Sequence, residues 1–253
     1  MSGRDAAQLI ALRLVLAVTA AGLGAAAAVF FKKVSHLWLC LLISFAAGAL
    51  LAVALFDIIP ESLRLVGPKA GSVSVLSGYL LFFVITRFIF HICPACAATH
   101  TEIKFKAVSL AMVIALSVHS FMDGLAIYSG CLTSAPAGFL ILLAVAYHKL
   151  PEGMALSLVA RGSGMSRQNS FLVSFILEFV TTLAGGLAGL LFLAPSASRW
   201  VGYVLGHVSG GFIFLVIHAL LSEVIKHHPR STILAAFLGA ASIVVAGYFV
   251  GSF

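Results

Sequence analysis

Apolar runs of about 20 residues recur along this chain, separated by short breaks that carry charge or Pro, Gly and Ser. A helix needs roughly 20 such residues to cross about 30 Å of hydrocarbon. Eight runs meet that length and predict helices at about 8–30, 38–60, 73–91, 107–129, 136–160, 170–193, 200–222 and 231–250. The second run closes in Asp57-Ile-Ile-Pro60-Glu61 and the third contains Arg87, so these two are the least regular. Strands of a membrane barrel would alternate polar and apolar over about ten residues, and nothing here does. The pattern predicts an all-α integral membrane protein with eight transmembrane helices, forming one transmembrane domain over residues 1–253.

Composition agrees with the pattern. The chain is 62% hydrophobic and 9% charged, with a mean hydropathy of +1.15, whereas soluble domains average about 45–50% apolar and about 25% charged. The first run follows Arg4 and includes an alanine stretch at 25–28, which raises the alternative of a signal peptide. It is longer than a signal h-region of about 7–15 residues and is interrupted by Arg13, so a retained helix is expected.

Charge sets an expected orientation. Lys32, Lys33, Arg87, Lys104, Lys106, Arg161, Arg167, Lys226 and Arg230 gather on one side, and Arg4, Arg13, Arg64, Lys69 and Arg199 on the other. The richer side is expected to be cytoplasmic, which puts both termini outside, most simply at the plasma (inner) membrane. The formal net charge of +7 is scattered through short loops. A nucleic-acid surface would gather it on one face, so no nucleic-acid partner is expected.

The acids are the informative minority. Of eight, only Asp5 and Glu102 fall clearly in polar segments; Asp57, Glu61, Asp123, Glu152, Glu178 and Glu223 lie within or at the ends of apolar runs. A charged side chain at the bilayer centre costs about 2.5–3.5 kcal/mol on insertion scales. Such carboxylates must face the bundle interior, a water-filled cavity or a cation.

Two of them stand four residues after a histidine. The fourth run reads VHSFMDGLAIYSG, with His119 and Asp123, and the fifth reads YHKLPEGMAL, with His148 and Glu152. Residues i and i+4 share one helix face, about 5–6 Å apart at Cβ. Two such helices face to face supply two imidazoles and two carboxylates, a donor set that suits zinc and also iron(II), cobalt or manganese. A lone intramembrane histidine is most often a hydrogen-bonded packing residue; two H-x3-(D/E) pairs on consecutive runs argue for a shared ion. Pro151 withholds a donor from the Tyr147 carbonyl and favours a kink there, and Gly124 and Gly153 permit close helix approach.

At these residues the chain resembles the ZIP (Zrt/Irt-like) family of divalent metal transporters, prokaryotic type. The likeness rests on HSFMDG, HKLPEG and the eight runs, and covers essentially the whole chain. It implies a 3+2+3 arrangement in which helices 1–3 and 6–8 form an inverted repeat. It also implies import of zinc, with cadmium, iron or manganese as alternatives, toward the cytoplasm by alternating access. The metal site would lie between the fourth and fifth helices, at His119, Asp123, His148 and Glu152. FDIIPES (56–62) and IHALLSEV (217–224) resemble the family's second and seventh helices, which places Asp57, Glu61, His218 and Glu223 along the route. Glu178 matches a sixth-helix acid that reaches a second metal position in some members.

The second position is where the chain departs from the pattern. Ser120 stands where a two-metal member often has Asn, and Lys149 where it has Asn or Asp. A protonated Lys cannot ligate a metal. The expectation is that Lys149 replaces the second ion as a fixed cation, paired with Glu178 or with a carboxylate of the first site; the alternative is a lysine snorkelling to an interface.

The segment HICPACAATH after the third run places His91, Cys93, Cys96 and His100 within ten residues on the expected cytoplasmic side. C-x2-C with flanking histidines is a fair zinc signal, read as transient metal capture, a structural or redox pair, or a plain membrane-end loop. A stable disulfide is not expected in a reducing cytosol. His227 and His228, beside Lys226 and Pro229, read as ordinary surface residues, with assistance to metal capture as the alternative.

Three rivals use similar residues. A cation-diffusion efflux carrier would have six helices and a soluble domain after them. An intramembrane zinc hydrolase would converge its ligands on one metal-bound water, but H-E-x-x-H is absent and the acids spread from Asp57 to Glu223. A bis-histidine haem protein would not need the four carboxylates. No catalysis is expected. The partners expected are a divalent metal ion and the lipid bilayer, with a homodimer as an open alternative.

Overall fold

The computed structural model describes residues 3–30, 35–88, 105–162, 164–193, 198–221 and 229–251. Among the described residues the chain is all-helical: α1 Gly3–Phe30, α2 His36–Val53, α3 Ile59–Val66, α4 Pro68–Phe88, α5 Phe105–Thr133, α6 Ala135–Gly162, α7 Arg167–Phe192, α8 Ser198–Phe214 and α9 Pro229–Val250. Seven segments are long and apolar enough to cross a membrane: Ala7–Phe30, Leu37–Val66, Pro68–Ile85, Ala135–Arg161, Arg167–Phe192, Arg199–His218 and Pro229–Val250. An eighth long helix, the 29-residue α5, packs among them. The expected runs therefore correspond to helices, with ends moved by a few residues.

The largest change is in the second run. It continues past Asp57 and Pro60 to Val66 as one rod, because α2 passes into α3 through a π-helical turn at Ala54–Ile58. There the backbone ladder slips: the Ile59 N–H returns to the Ala54 carbonyl, five residues back. Pro60 brings no N–H of its own, so the ladder is already incomplete at that point. Gly67, with φ of +84°, ends the rod, and Pro68 opens α4. A Gly just past a helix end and a Pro at the first helical position suit those backbone conformations. A second π segment, Leu215–Leu221, extends α8. The π turns fall on Asp57 and His218, two of the residues that the family resemblance places along the route.

Among the described residues, four helix pairs cross with a glycine of each set against a backbone carbonyl of the other. A Cβ on Gly24 of α1 would collide with the Leu150 carbonyl of α6, and one on Gly153 of α6 with the Ala21 carbonyl of α1. The same exchange joins α5 to α7 through Gly124 against Thr182 and Gly185 against Phe121. It joins α2 to α9 through Gly48 against Ala236 and Gly239 against Phe45, and α4 to α8 through Gly78 against His207 and Gly210 against Val75. Backbone-to-backbone contact of this kind is how helices associate without a hydrophobic drive between them. Gly124 and Gly153 thus do bring helices close, but each docks its own helix onto a third one, α7 or α1.

Pro151 does not end its helix. α6 runs unbroken from Ala135 to Gly162 with Pro151 buried inside it. Arg13, counted above with the outer charges, is buried in α1, where its guanidinium donates to Cys131 Sγ at 3.1 Å and to the Ala135 carbonyl at 3.2 Å. It ties α1 to the turn joining α5 and α6. At the other end of the same crossing, Arg161 donates to the Ala28 carbonyl at 2.6 Å.

Candidate metal centre

α5 and α6 present their i, i+4 pairs to one another, and a third helix closes the space between them. His119 and Asp123 come from α5, His148 and Glu152 from α6. One ligand atom of each lies within 4.8 Å of the others, and all four residues are buried. His148 Nε2 is 3.1 Å from Asp123 Oδ2, and His119 Nε2 is 3.8 Å from the same oxygen. The imidazole rings stand 4.9 Å apart, centroid to centroid, both against the edge or face of Phe212 from α8.

Both ring nitrogens of His148 face acceptors. Nδ1 lies 2.9 Å from the Ala144 carbonyl, one turn back on α6, and a carbonyl only accepts. A neutral imidazole has one N–H, so one of the two nitrogens turns a lone pair toward an acceptor. Nε2 faces Asp123 Oδ2, another acceptor, at 3.1 Å. Two acceptors at that distance repel unless a proton or a metal ion lies between them. The surrounding polar atoms have the same character: His119 Nδ1, Asp123 Oδ1 and both Glu152 oxygens are buried with no hydrogen-bond partner among the described residues. Buried polar groups in folded proteins are nearly always paired, so a cluster of unpaired lone pairs marks a place suited to a cation.

Lys149 adjoins this cluster. Its side chain is fully buried, which excludes snorkelling to an interface. Its Nζ sits 3.0 Å from Asp123 Oδ2, 3.2 Å from Glu152 Oε2, 2.5 Å from Glu178 Oε2 and 2.5 Å from Ser120 Oγ. The approach to Glu152 is an ion-pair distance without hydrogen-bond geometry, as the unpaired Glu152 oxygens require. Ser120 in turn donates its hydroxyl proton to Glu178 Oε2 at 2.9 Å. Glu178 reaches this point from α7, held there by the Gly124–Thr182 and Gly185–Phe121 crossing.

The remaining candidates lie elsewhere. Asp57 is buried in the first π turn. Glu61 accepts two hydrogen bonds from Arg64, one turn on, at 2.6 and 2.5 Å. His218, in the second π segment, bonds through Nε2 to the Tyr79 hydroxyl at 2.6 Å and stacks near Phe214. Glu223, His91, Cys93, Cys96 and His100 lie outside the described residues. Sequence reasoning missed Phe212 and Tyr79, ordinary aromatics in apolar runs that nothing local distinguishes. It also missed His207, whose Nδ1 lies 2.8 Å from Ser77 Oγ across the α4–α8 crossing.

An all-helical bundle with a buried histidine–carboxylate cluster defines an integral membrane protein suited to handling a cation. The chain belongs to the ZIP zinc transporter family, whose profile matches residues 95–247. It is 28% identical over 264 residues to the zinc transporter ZupT of Chlorobium luteolum, covering 96% of this chain and 98% of that one. Against the ZupT of Xanthomonas axonopodis it is 27% identical over 227 residues, 84% of each chain. It is also 28% identical over 250 residues to an Arabidopsis thaliana protein that carries a zinc-transporter name; the match takes in 92% of this chain but spans only 38% of that protein's length.

Proposed function

We propose that this protein carries a divalent metal ion, zinc first, across a membrane and toward the cytoplasm. The metal binds at His119, Asp123, His148 and Glu152. The observation that carries this reading is the convergence of those four ligand atoms within 4.8 Å, buried and short of partners. Family membership supports the cargo, and zinc is the metal named for the bacterial relatives.

The site holds one metal. In formal charges, Asp123, Glu152 and Glu178 against Lys149 sum to −2, which one divalent cation neutralises. Lys149 occupies the second position of two-metal relatives as a fixed cation, as its distances to Glu178 and Ser120 support. Asp57, Glu61, His218 and Glu223 line the route on either side, and His91, Cys93, Cys96 and His100 receive the departing ion.

The whole chain acts as one transport domain of eight spans in a 3+2+3 arrangement. Its support is the pairing of helices. Exchanging the first three spans for the last three, and α5 for α6, turns the α1–α6 crossing into α7–α5 and the α2–α9 crossing into α8–α4. All four crossings are present with the same reciprocal glycines. An inverted repeat of that form supplies two alternative openings around one fixed site. Both termini lie outside the cytoplasm, at the plasma membrane, and a homodimer is compatible with this arrangement.

The test is metal flux into liposomes holding the purified protein, across zinc, cadmium, iron(II) and manganese, with His148→Ala as control. Saturable zinc entry lost in the variant supports the reading. Absence of flux together with lipid or peptide hydrolysis would instead make the protein a hydrolase.

A further inference from the structure

Lys149 Nζ donates to Glu178 and Ser120 and stands at ion-pair distance from Asp123 and Glu152. Two of those four, Asp123 and Glu152, are the carboxylates assigned above to the metal. Ammonium and metal therefore draw on the same oxygens. A dication at ordinary ligand distances of about 2.0–2.2 Å would stand close to a like charge that has no route to water. Both cannot keep Asp123 Oδ2.

The structure also shows where the ammonium can go. Glu178 is 1% exposed, and its Oε1 has no hydrogen-bond partner among the described residues while Oε2 already holds Nζ and the Ser120 hydroxyl. Ser120 Oγ, with its proton given to Glu178, keeps its lone pairs for Nζ. Together they form a buried acceptor pair at Nζ, with one carboxylate oxygen to spare.

We infer that Glu178 is the holding carboxylate of a tethered competitor: when the metal binds, the Lys149 ammonium leaves Asp123 and Glu152 and is retained by Glu178 and Ser120 alone. The metal-free site is then closed by its own lysine, and each metal ion must displace it. Lys149 lowers metal affinity and hastens release, while Glu178 limits that penalty by offering the ammonium another place. Glu178 is a positioning residue that does not touch the metal. This deepens the single-metal reading and rests on it.

Zinc affinity of the purified full-length protein, measured by competition with a fluorescent chelator, tests the inference. Coupling between groups in contact changes affinity by about tenfold. Lys149→Gln should therefore bind zinc about tenfold more tightly, and Glu178→Gln about tenfold more weakly. The double variant should return to within about threefold of Lys149→Gln, a rescue that a purely structural role for Glu178 would not give. Weaker or unchanged binding in Lys149→Gln overturns the inference, as does a double variant no better than Glu178→Gln. Should Glu178→Gln fail to fold, the direction of change in Lys149→Gln decides alone. Failure of the transport reading is separable, since it would show as zinc binding without flux in the wild-type protein.

Discussion

His148 and Asp123 meet at 3.1 Å from two different helices, while the other imidazole nitrogen lies 2.9 Å from the Ala144 carbonyl. These two contacts orient the ring so that Nε2 faces the carboxylate with which it would share a metal.

Removing that imidazole should remove binding. His148→Ala is expected to weaken zinc affinity by more than the ~10–100-fold that follows loss of a mere outer-shell partner of a ligand. The same chelator competition reads it, with helical circular dichroism showing that the fold survives. Affinity within a few-fold of wild type would remove His148 from the site.

Acid should act in the same direction. A protonated imidazole or carboxylate has no lone pair for a metal, so proton and metal compete. Binding is complete at pH values where the ligands are free and falls as they protonate; the histidine reference value is about 6.5. Zinc flux should drop between about pH 7 and about pH 5. A flat profile across that interval, with symmetric buffers on the two sides of the membrane, would contradict histidine ligation.

Stoichiometry checks the role of Lys149 from another side. Elemental analysis of the purified protein, after removal of loosely held ions, should give one zinc per chain. A ratio of two, reduced in Lys149→Ala, would mean that the lysine assists a second ion rather than replacing it.

The helix crossings make a prediction independent of metal. A methyl on Gly153 would meet the Ala21 backbone, which cannot rotate aside, whereas one on Gly22 would meet the Phe175 ring at 3.0 Å, a side chain able to give way. Overpacking a tight contact costs about 1–3 kcal/mol, so Gly153→Ala should unfold at a clearly lower temperature in detergent than Gly22→Ala. Equal melting of the two would show that the α1–α6 crossing is looser than the structure has it.

Much of this site was legible in the chain because its geometry is local. An i, i+4 pair on a helix is brought together by the helix itself, so H-x3-D and H-x3-E name their faces before any tertiary contact forms. Span length and the placement of acids in apolar runs are likewise properties of short stretches, fixed by the cost of charge in hydrocarbon. What such reasoning mistook is equally instructive. Pro151 favours a kink, and the helix that holds it runs on from Ala135 to Gly162. Asp57 closed a run on the page, yet it sits inside a longer rod whose hydrogen-bond ladder slips by one residue.

The sequence by itself determined that eight apolar stretches form helices, and that two of them carry paired metal-type ligands on one face each. Only the tertiary structure decided that the two faces meet, that Phe212 walls the imidazoles, and that Glu178 arrives from α7 to hold Lys149. The physical reason is that rotation and depth of one helix against another are set at backbone crossings such as Gly124 with Thr182 and Gly153 with Ala21. Those partners lie far apart along the chain, and no period within either helix encodes the match.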